Sequence, residues 1–167
     1  MNINLFSNKY EVRRLKEEDL NMIYSLCVEN TEYYKHCPPF VTTQSIISDM
    51  NALPPRKTIE DKYYIGYFLG DSLVAVMDLI DNCPEANKAF IGFFMVKKSL
   101  HRNKIGFNII EELSSYLKDN CYNEIRLGCI DTNKTAYSFW EYNGFVDTNL
   151  KNVTDLYTVK IMKKMLG

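Results

Sequence analysis

The chain has 167 residues, with 20 Lys and Arg against 21 Asp and Glu, so its formal net charge is −1. Apolar residues make up 46% and charged residues 25%, the balance of a folded globular chain, and a near-neutral charge excludes a general binder of nucleic acid or anionic membrane. No apolar stretch approaches the ~18 residues of a membrane span, and Met1 to Lys9 carry no apolar run of signal-peptide length, so a cytoplasmic chain is expected.

Tyr10-Glu11-Val12-Arg13-Arg14-Leu15 reads as a first strand. Lys16-Glu17-Glu18-Asp19 then suits a helix start, because carboxylates there meet the positive end of the peptide dipoles. Leu20, Ile23, Tyr24 and Cys27 follow at helical spacing. Residues 32–40 read as a loop. A second helix runs from Thr42 or Thr43 to Leu53, where Pro54-Pro55 stops it. Residues 63–69 and 73–80 form a hairpin around Gly70-Asp71-Ser72. The apolar run 89–96 is a central strand. A basic stretch leads into a helix with Ile105, Ile109, Ile110, Leu113 and Leu117 on one face. Residues 124–130 are a strand, and Thr132 or Asn133 caps another helix, which Gly144 ends in the left-handed conformation. Residues 145–150 and 157–165 close the chain as strands. No repeat, low-complexity tract or Gly/Ser linker interrupts this order, so one domain spanning 1–167 is expected. The unit from Ala89 to Ile130 is strand, helix, strand and joins parallel neighbours; the hairpins are antiparallel.

Cys27, Cys37, Cys83, Cys121 and Cys129 are odd in number, with no C-x-x-C spacing, and there are 2 histidines. Neither a disulfide framework nor a metal site is expected; the thiols read as reduced and mostly packed as small hydrophobes. His36-Cys37, beside Pro38-Pro39, reads as loop rather than as a reactive pair.

The sharpest chemical signal is electrostatic. No carboxylate stands between Ala86 and Ile110, while Lys88, Lys97, Lys98, Arg102 and Lys104 do, with His101 as a further cation when protonated. They gather where a strand gives way to a helix, and the first N–H groups of a helix lack internal partners and favour an anion, most simply a phosphate. Gly106 permits close backbone approach. The second signal is Asn133 to Phe145, in which Ala136, Phe139 and Trp140 form one stripe. For Ala136 and Phe139 that stripe is core packing. Trp140 is open between packing and a role for its N–H.

Phe94-Met95-Val96 followed by His101-Arg102-Asn103-Lys104-Ile105-Gly106 resembles the acetyl-CoA motif of the GNAT superfamily of N-acetyltransferases: an apolar strand, then R/Q-x-x-G-x-G/A opening a helix. Asn133 to Phe145 resembles the family's second signature, and Val12-Arg13-Arg14-Leu15 with Asp19 its opening strand and helix. Residues 53–63 are similar to a segment of uncharacterised bacterial members. The resemblance implies an α/β (α+β) fold: a mixed, mostly antiparallel sheet of about seven strands, a splayed parallel central pair, and about four helices. It implies acetyl-CoA as cosubstrate, no metal, and transfer of acetyl to a primary amine by direct attack in a ternary complex. The backbone of Phe94, Met95 and Val96 would hold the pantetheine arm and polarise the thioester carbonyl. The amides from Arg102 to Gly106 would wrap the pyrophosphate, and Asn133 would contact the cofactor.

Two departures matter. His101 stands for the usual Arg or Gln, and Lys104 for the first motif glycine, at a cost of about 1 kcal/mol if that position has positive φ. Trp140 stands where the family often places the tyrosine that protonates the departing thiolate. Tyr137, one turn earlier, is the better geometric substitute. For a general base, Asp78 in its apolar strand is the most conspicuous carboxylate; the rival reading has it facing solvent or bonding a turn. Glu32, Tyr33 and Tyr34 lie in the loop from which the family builds its acceptor pocket. The expected partner is a small-molecule amine, with no nucleic acid or membrane and with a homodimer held open. Acetylation of a protein or peptide N-terminus, a non-catalytic acyl-CoA-binding module and a nucleotide-binding domain are the alternatives. The last lacks both G-x-x-x-x-G-K-[ST] and G-x-G-x-x-G.

Overall fold

A computed structural model describes residues 1–167. The chain runs β1 (Glu11–Arg14), α1 (Leu20–Val28), α2 (Thr31–His36), α3 (Thr43–Asn51), β2 (Lys62–Leu69), β3 (Ser72–Ile80), β4 (Lys88–Val96), α4 (Ile105–Asp119), β5 (Glu124–Ile130), α5 (Lys134–Tyr142), β6 (Val146–Val153) and β7 (Thr158–Met165). The seven strands form one mixed sheet in the order β1-β2-β3-β4-β5-β7-β6. β4 and β5 are parallel, and every other neighbouring pair is antiparallel. This is the expected α/β sheet, with five helices in place of about four. No helix is long and apolar enough to cross a membrane.

Local chemistry sets most boundaries. Thr42 and Ser45 form a capping box at the start of α3, a device worth about 1 kcal/mol. That helix ends at Asn51 rather than Leu53, with Ala52 already extended ahead of the two prolines. Gly70 takes φ +57° in the β2–β3 turn and Gly144 takes φ +83° after α5, as their positions require. The helix that sequence reading misses is α2. It has only 6 residues, too few for a periodic signal, and the prolines beyond it read as loop. β6 runs past Leu150 because its pairing with β7 breaks between Asp147 and Lys151, around Asn149 at φ +63°, and then resumes.

Strand alternation divides the core between the two faces of the sheet. On one face α4 buries Ile109, Ile110, Leu113 and Leu117, each at 0% exposure, for about 1.5–3 kcal/mol apiece. They pack with Ala89, Ile91, Ile125, Leu127, Trp140 and Phe145. On the other face Ile23, Leu26 and Cys27 of α1 and Ile46 of α3 pack on Tyr64, Val76 and Met95.

The parallel pair does not stay together. β4 and β5 pair only from Lys88 to Ile91 against Glu124 to Leu127. At that point β4 carries a bulge: Leu79 faces Ile91 and Asp78 faces Phe93, so Gly92 is the extra residue. From Phe93 to Val96, β4 pairs with β3 alone, while β5 continues along β7 to Ile130. The splayed central pair is therefore present, opening at the carboxyl ends of the two strands.

Candidate active site

The edge of β4 from Phe93 to Val96 has backbone groups with no strand beside them on the β5 side. At its end the chain turns into α4 through Lys97 to Lys104. Arg102 has φ +64° and Lys104 φ +58°. Lys104 is the N-cap of α4, and its side chain caps nothing. The first helical bond runs from Asn108 N–H to the Lys104 carbonyl, and the N–H groups from Arg102 to Gly106 find no acceptor in the chain. A run of acceptor-free amides at the opening of a helix, with left-handed residues at 102 and 104, suits an anion. Each non-glycine residue in that conformation costs about 1 kcal/mol, and both carry cations.

The charge cluster is smaller than sequence alone suggests. Lys88 lies elsewhere, bonded to Glu85 at 2.6 Å and near Glu124 at 3.8 Å. The ring of His101 folds back, and its Nε2 donates to the Val96 carbonyl at 2.9 Å. Lys97, Lys98, Arg102 and Lys104 form no ion pair. The free cations of the cradle are therefore Arg102 and Lys104, within the run itself; Lys97 lies beside Glu29 and Asp71, and Lys98 near Glu32. Asn103 is exposed and Ile105 half-buried. Gly106 is buried because α4 starts hard against α5: a Cβ there would sit 3.1 Å from the Phe139 ring and 3.4 Å from Val96. Its close approach is to the chain's own Phe139.

α5 supplies the opposite wall. Asn133, 8% exposed, caps it by accepting from Ala136 N–H at 3.0 Å. Trp140 is buried among Phe94, Phe139 and Phe145, with ring centroids 6.0, 4.9 and 5.2 Å away. Tyr137 is half-buried, with Lys160 Nζ 5.0 Å from its ring centroid.

On the other face α2 bridges the gap. Asn30, just before it, is buried, and its Nδ2 donates to the Val96 carbonyl at 3.2 Å. At the far end His36 Nδ1 is 2.9 Å from Thr132 Oγ1, in the loop after β5. Burial first, and then the nearby Cys37 thiol, push the Tyr33 and Tyr157 phenols up. Tyr33 meets Phe93 of β4 edge-on, with centroids 5.9 Å apart. The stretch read as loop is thus a wall tied to both splayed strands.

Asp78 faces the same side, and neither solvent nor a turn. It is 9% exposed, and its Oδ2 accepts from Lys62 Nζ at 2.7 Å. Its Oδ1 is buried and accepts nothing. A Cβ on Gly92, the bulge residue above it, would sit 2.8 Å from Oδ2. Burial pushes the Asp78 carboxyl above its usual range, and Lys62 pulls the other way. Sequence reasoning missed Lys62, Gly92 and Asn30. The signal for Lys62 was a lone cation opening an apolar strand that pairs with the strand holding a lone carboxylate. No group of His, Cys, Asp and Glu side chains is gathered as for a metal ion.

These features fit an acyl-CoA: a diphosphate cradle, free cations, and an unpaired strand edge leading inward from them. The model of the acetyltransferase (GNAT) family matches residues 20–145. No curated protein matches the chain. Among solved structures, an acetyltransferase from Thermus thermophilus superposes with a TM-score of 0.75 at 14% identity, over 94% of this chain and 97% of that one. The PaiA N-acetyltransferase from Thermoplasma acidophilum, in complex with coenzyme A, gives 0.67 at 23% identity, over 93% and 98%. The ribosomal-protein-S18-alanine N-acetyltransferase from Escherichia coli gives 0.66 at 17%, over 95% and 94%. At these identities the likeness is one of fold. With the family model covering most of the length, the chain belongs to the GNAT acetyltransferase family.

Proposed function

We propose that this chain, as a single domain, transfers an acetyl group from acetyl-CoA to the primary amine of a small molecule, in the cytoplasm, by direct attack in a ternary complex. The observation that carries the reading is the run of acceptor-free amides from Arg102 to Gly106, which includes the cations Arg102 and Lys104 and follows the edge of β4 that no strand covers. The five free thiols suit a reducing compartment.

Bound there, acetyl-CoA supplies an activated acyl group and a thiol leaving group. The cradle amides, with Arg102 and Lys104, hold the diphosphate. The Phe94, Met95 and Val96 backbone aligns the arm as an added strand, and an N–H on that edge polarises the thioester carbonyl. Asn30 and His101 both reach the Val96 carbonyl, so they fix the end of that edge. Asn133 holds the start of α5 against the same gap. The wall of α2 and the Phe93 face receive the acceptor, and positioning does most of the work.

Asp78 is the base. With Oδ2 held by Lys62, the buried Oδ1 takes the proton from the ammonium through a water, and burial brings the carboxyl closer to working pH. The absent side chain of Gly92 keeps the carboxylate's place beneath the bulge open. Tyr137 returns a proton to the departing sulfur. A thiol titrates near ~8.5 and needs little help to leave, so this step contributes less than the base.

The test is thiol release from acetyl-CoA with a panel of primary amines, products identified by mass. Acetylated small amines support the reading. Acetylation confined to peptide N-termini moves the acceptor to the alternative class. A tight acetyl-CoA complex with no product from either class makes the protein a binding module.

A further inference from the structure

We infer that Lys62 is a positioning residue for the acetyl transfer: its ammonium pins one oxygen of Asp78 and so directs proton transfer to the other. This rests on the reading of Asp78 as the base. The Lys62 side chain is 2% exposed, in a setting where a lysine is kept only with partners. It has two. Nζ donates to Asp78 Oδ2 at 2.7 Å and to the Ala52 carbonyl at 3.0 Å. Ala52 is the residue that ends α3, so the same ammonium joins that helix to the strand beside β4.

Asymmetry is what makes the pair more than a structural tie. An arginine would grip both carboxylate oxygens. A lysine is a point donor, and here it takes Oδ2 and leaves Oδ1 buried without a partner. Native interiors rarely tolerate such an atom, and an oxygen that must accept and release a proton in turnover accounts for it. Lys62 stands at the first position of β2, facing Ile80, while Asp78 faces Tyr64. The contact is therefore a diagonal one across the hairpin, set by the register of β2 on β3.

The titration of Asp78 has one acidic neighbour. Asp49 on α3 is the one other carboxylate near it, raised by burial and drawn down by Lys62. Tyr64 on β2 and Tyr34 on α2 are pushed well above the usual phenol range by burial, and Cys27 on α1 is pushed up to about 11. All three stay neutral at neutral pH. On β4 the facing residues, Gly92 and Phe93, carry no charge.

The experiment is the pH profile of kcat/KM for the wild type and for Lys62→Met, Lys62→Arg and Asp78→Asn. Lys62→Met removes the cation, so the acid limb moves up by about one pH unit or more and kcat falls about tenfold. Lys62→Arg keeps the charge but engages both oxygens, so the limb moves down while kcat still falls. A limb unmoved in both lysine variants, in protein that is folded, overturns the inference. Loss of the limb in Asp78→Asn together with that result spares the base; an unchanged limb in Asp78→Asn removes the base itself. Should the lysine variants fail to fold, carbon-detected NMR of the wild type reads the same coupling. The Lys62 Cε resonance shifts in step with the Asp78 carboxyl as pH falls, and a Lys62 signal that ignores that titration overturns the inference.

Discussion

The two sides of the splayed gap are built on different principles. The proposed phosphate side is a backbone device: consecutive residues, Arg102 to Gly106, whose amides lack acceptors because left-handed residues lead into a helix. The proposed acceptor side is a side-chain device: Lys62 from β2, Asp78 from β3 and Gly92 from β4 meet through sheet register. A backbone device tolerates side-chain change, so His101 and Lys104 can depart from the family's motif while the cradle persists. A register device does not tolerate it, because its contacts are set side chain by side chain: Lys62 Nζ on Asp78 Oδ2 and on the Ala52 carbonyl.

Substitutions on the two sides should therefore differ in kind. The largest effect is expected at the base. Asp78→Asn should lower kcat about 100-fold or more while leaving acetyl-CoA affinity unchanged, read by steady-state kinetics beside calorimetry. An equal loss of affinity would blur the division. Gly92→Ala places a Cβ 2.8 Å from Asp78 Oδ2. It should displace the carboxylate and cut kcat about tenfold with little change in coenzyme binding.

Lys104→Gly sharpens the other half. Relief of positive φ, partly offset by the freer unfolded chain, should raise stability by about 0.5 kcal/mol. Loss of the cation should weaken acetyl-CoA binding about tenfold, or about 1.4 kcal/mol. Thermal melts and calorimetry would then move in opposite directions. Gly106→Ala tests the junction between the sides. With Phe139 3.1 Å from the new Cβ, the ring must shift by a few tenths of an ångström, and the helix propensity alanine gains offsets part of that cost, so the melt should move by no more than about 1 kcal/mol.

The smallest effect lies outside both sides and serves as a control. Asp19, 6% exposed, takes two bonds from Arg13, at 2.8 and 2.9 Å. Arg13 first, and then the Lys16 N–H, hold its carboxyl below the usual range. A lowered folded value means the contribution is full above the unfolded value of ~3.9 and is lost as pH falls through the folded one. With Arg13 partly exposed, Asp19→Asn should cost roughly 1 kcal/mol at pH 7 and progressively less as pH falls below ~3.9, with activity unchanged. Melts across pH check the sign.

The same contrast explains what the sequence disclosed. The cradle was legible because its parts are adjacent: an apolar strand, then a carboxylate-free basic stretch, then a helix face. The strands and α4 were legible because their apolar residues recur at the period of their own geometry. α2 was not, having too few residues to show a period, and it turns out to tie both splayed strands together. Lys62 and Gly92 were not legible because nothing local marks them. Their meaning depends on a diagonal across β2 and β3 and on one bulge in β4. Lys88 misled for the converse reason: adjacent in sequence to the basic stretch, it is committed to Glu85 and Glu124.

The most direct test is a calorimetric titration of the purified protein with acetyl-CoA at two salt concentrations. The account predicts one site per chain with a dissociation constant below ~1 mM, weaker at the higher salt because free cations hold the phosphates. No heat of binding at about 1 mM ligand, or an affinity indifferent to salt, would contradict a diphosphate seated at the opening of α4.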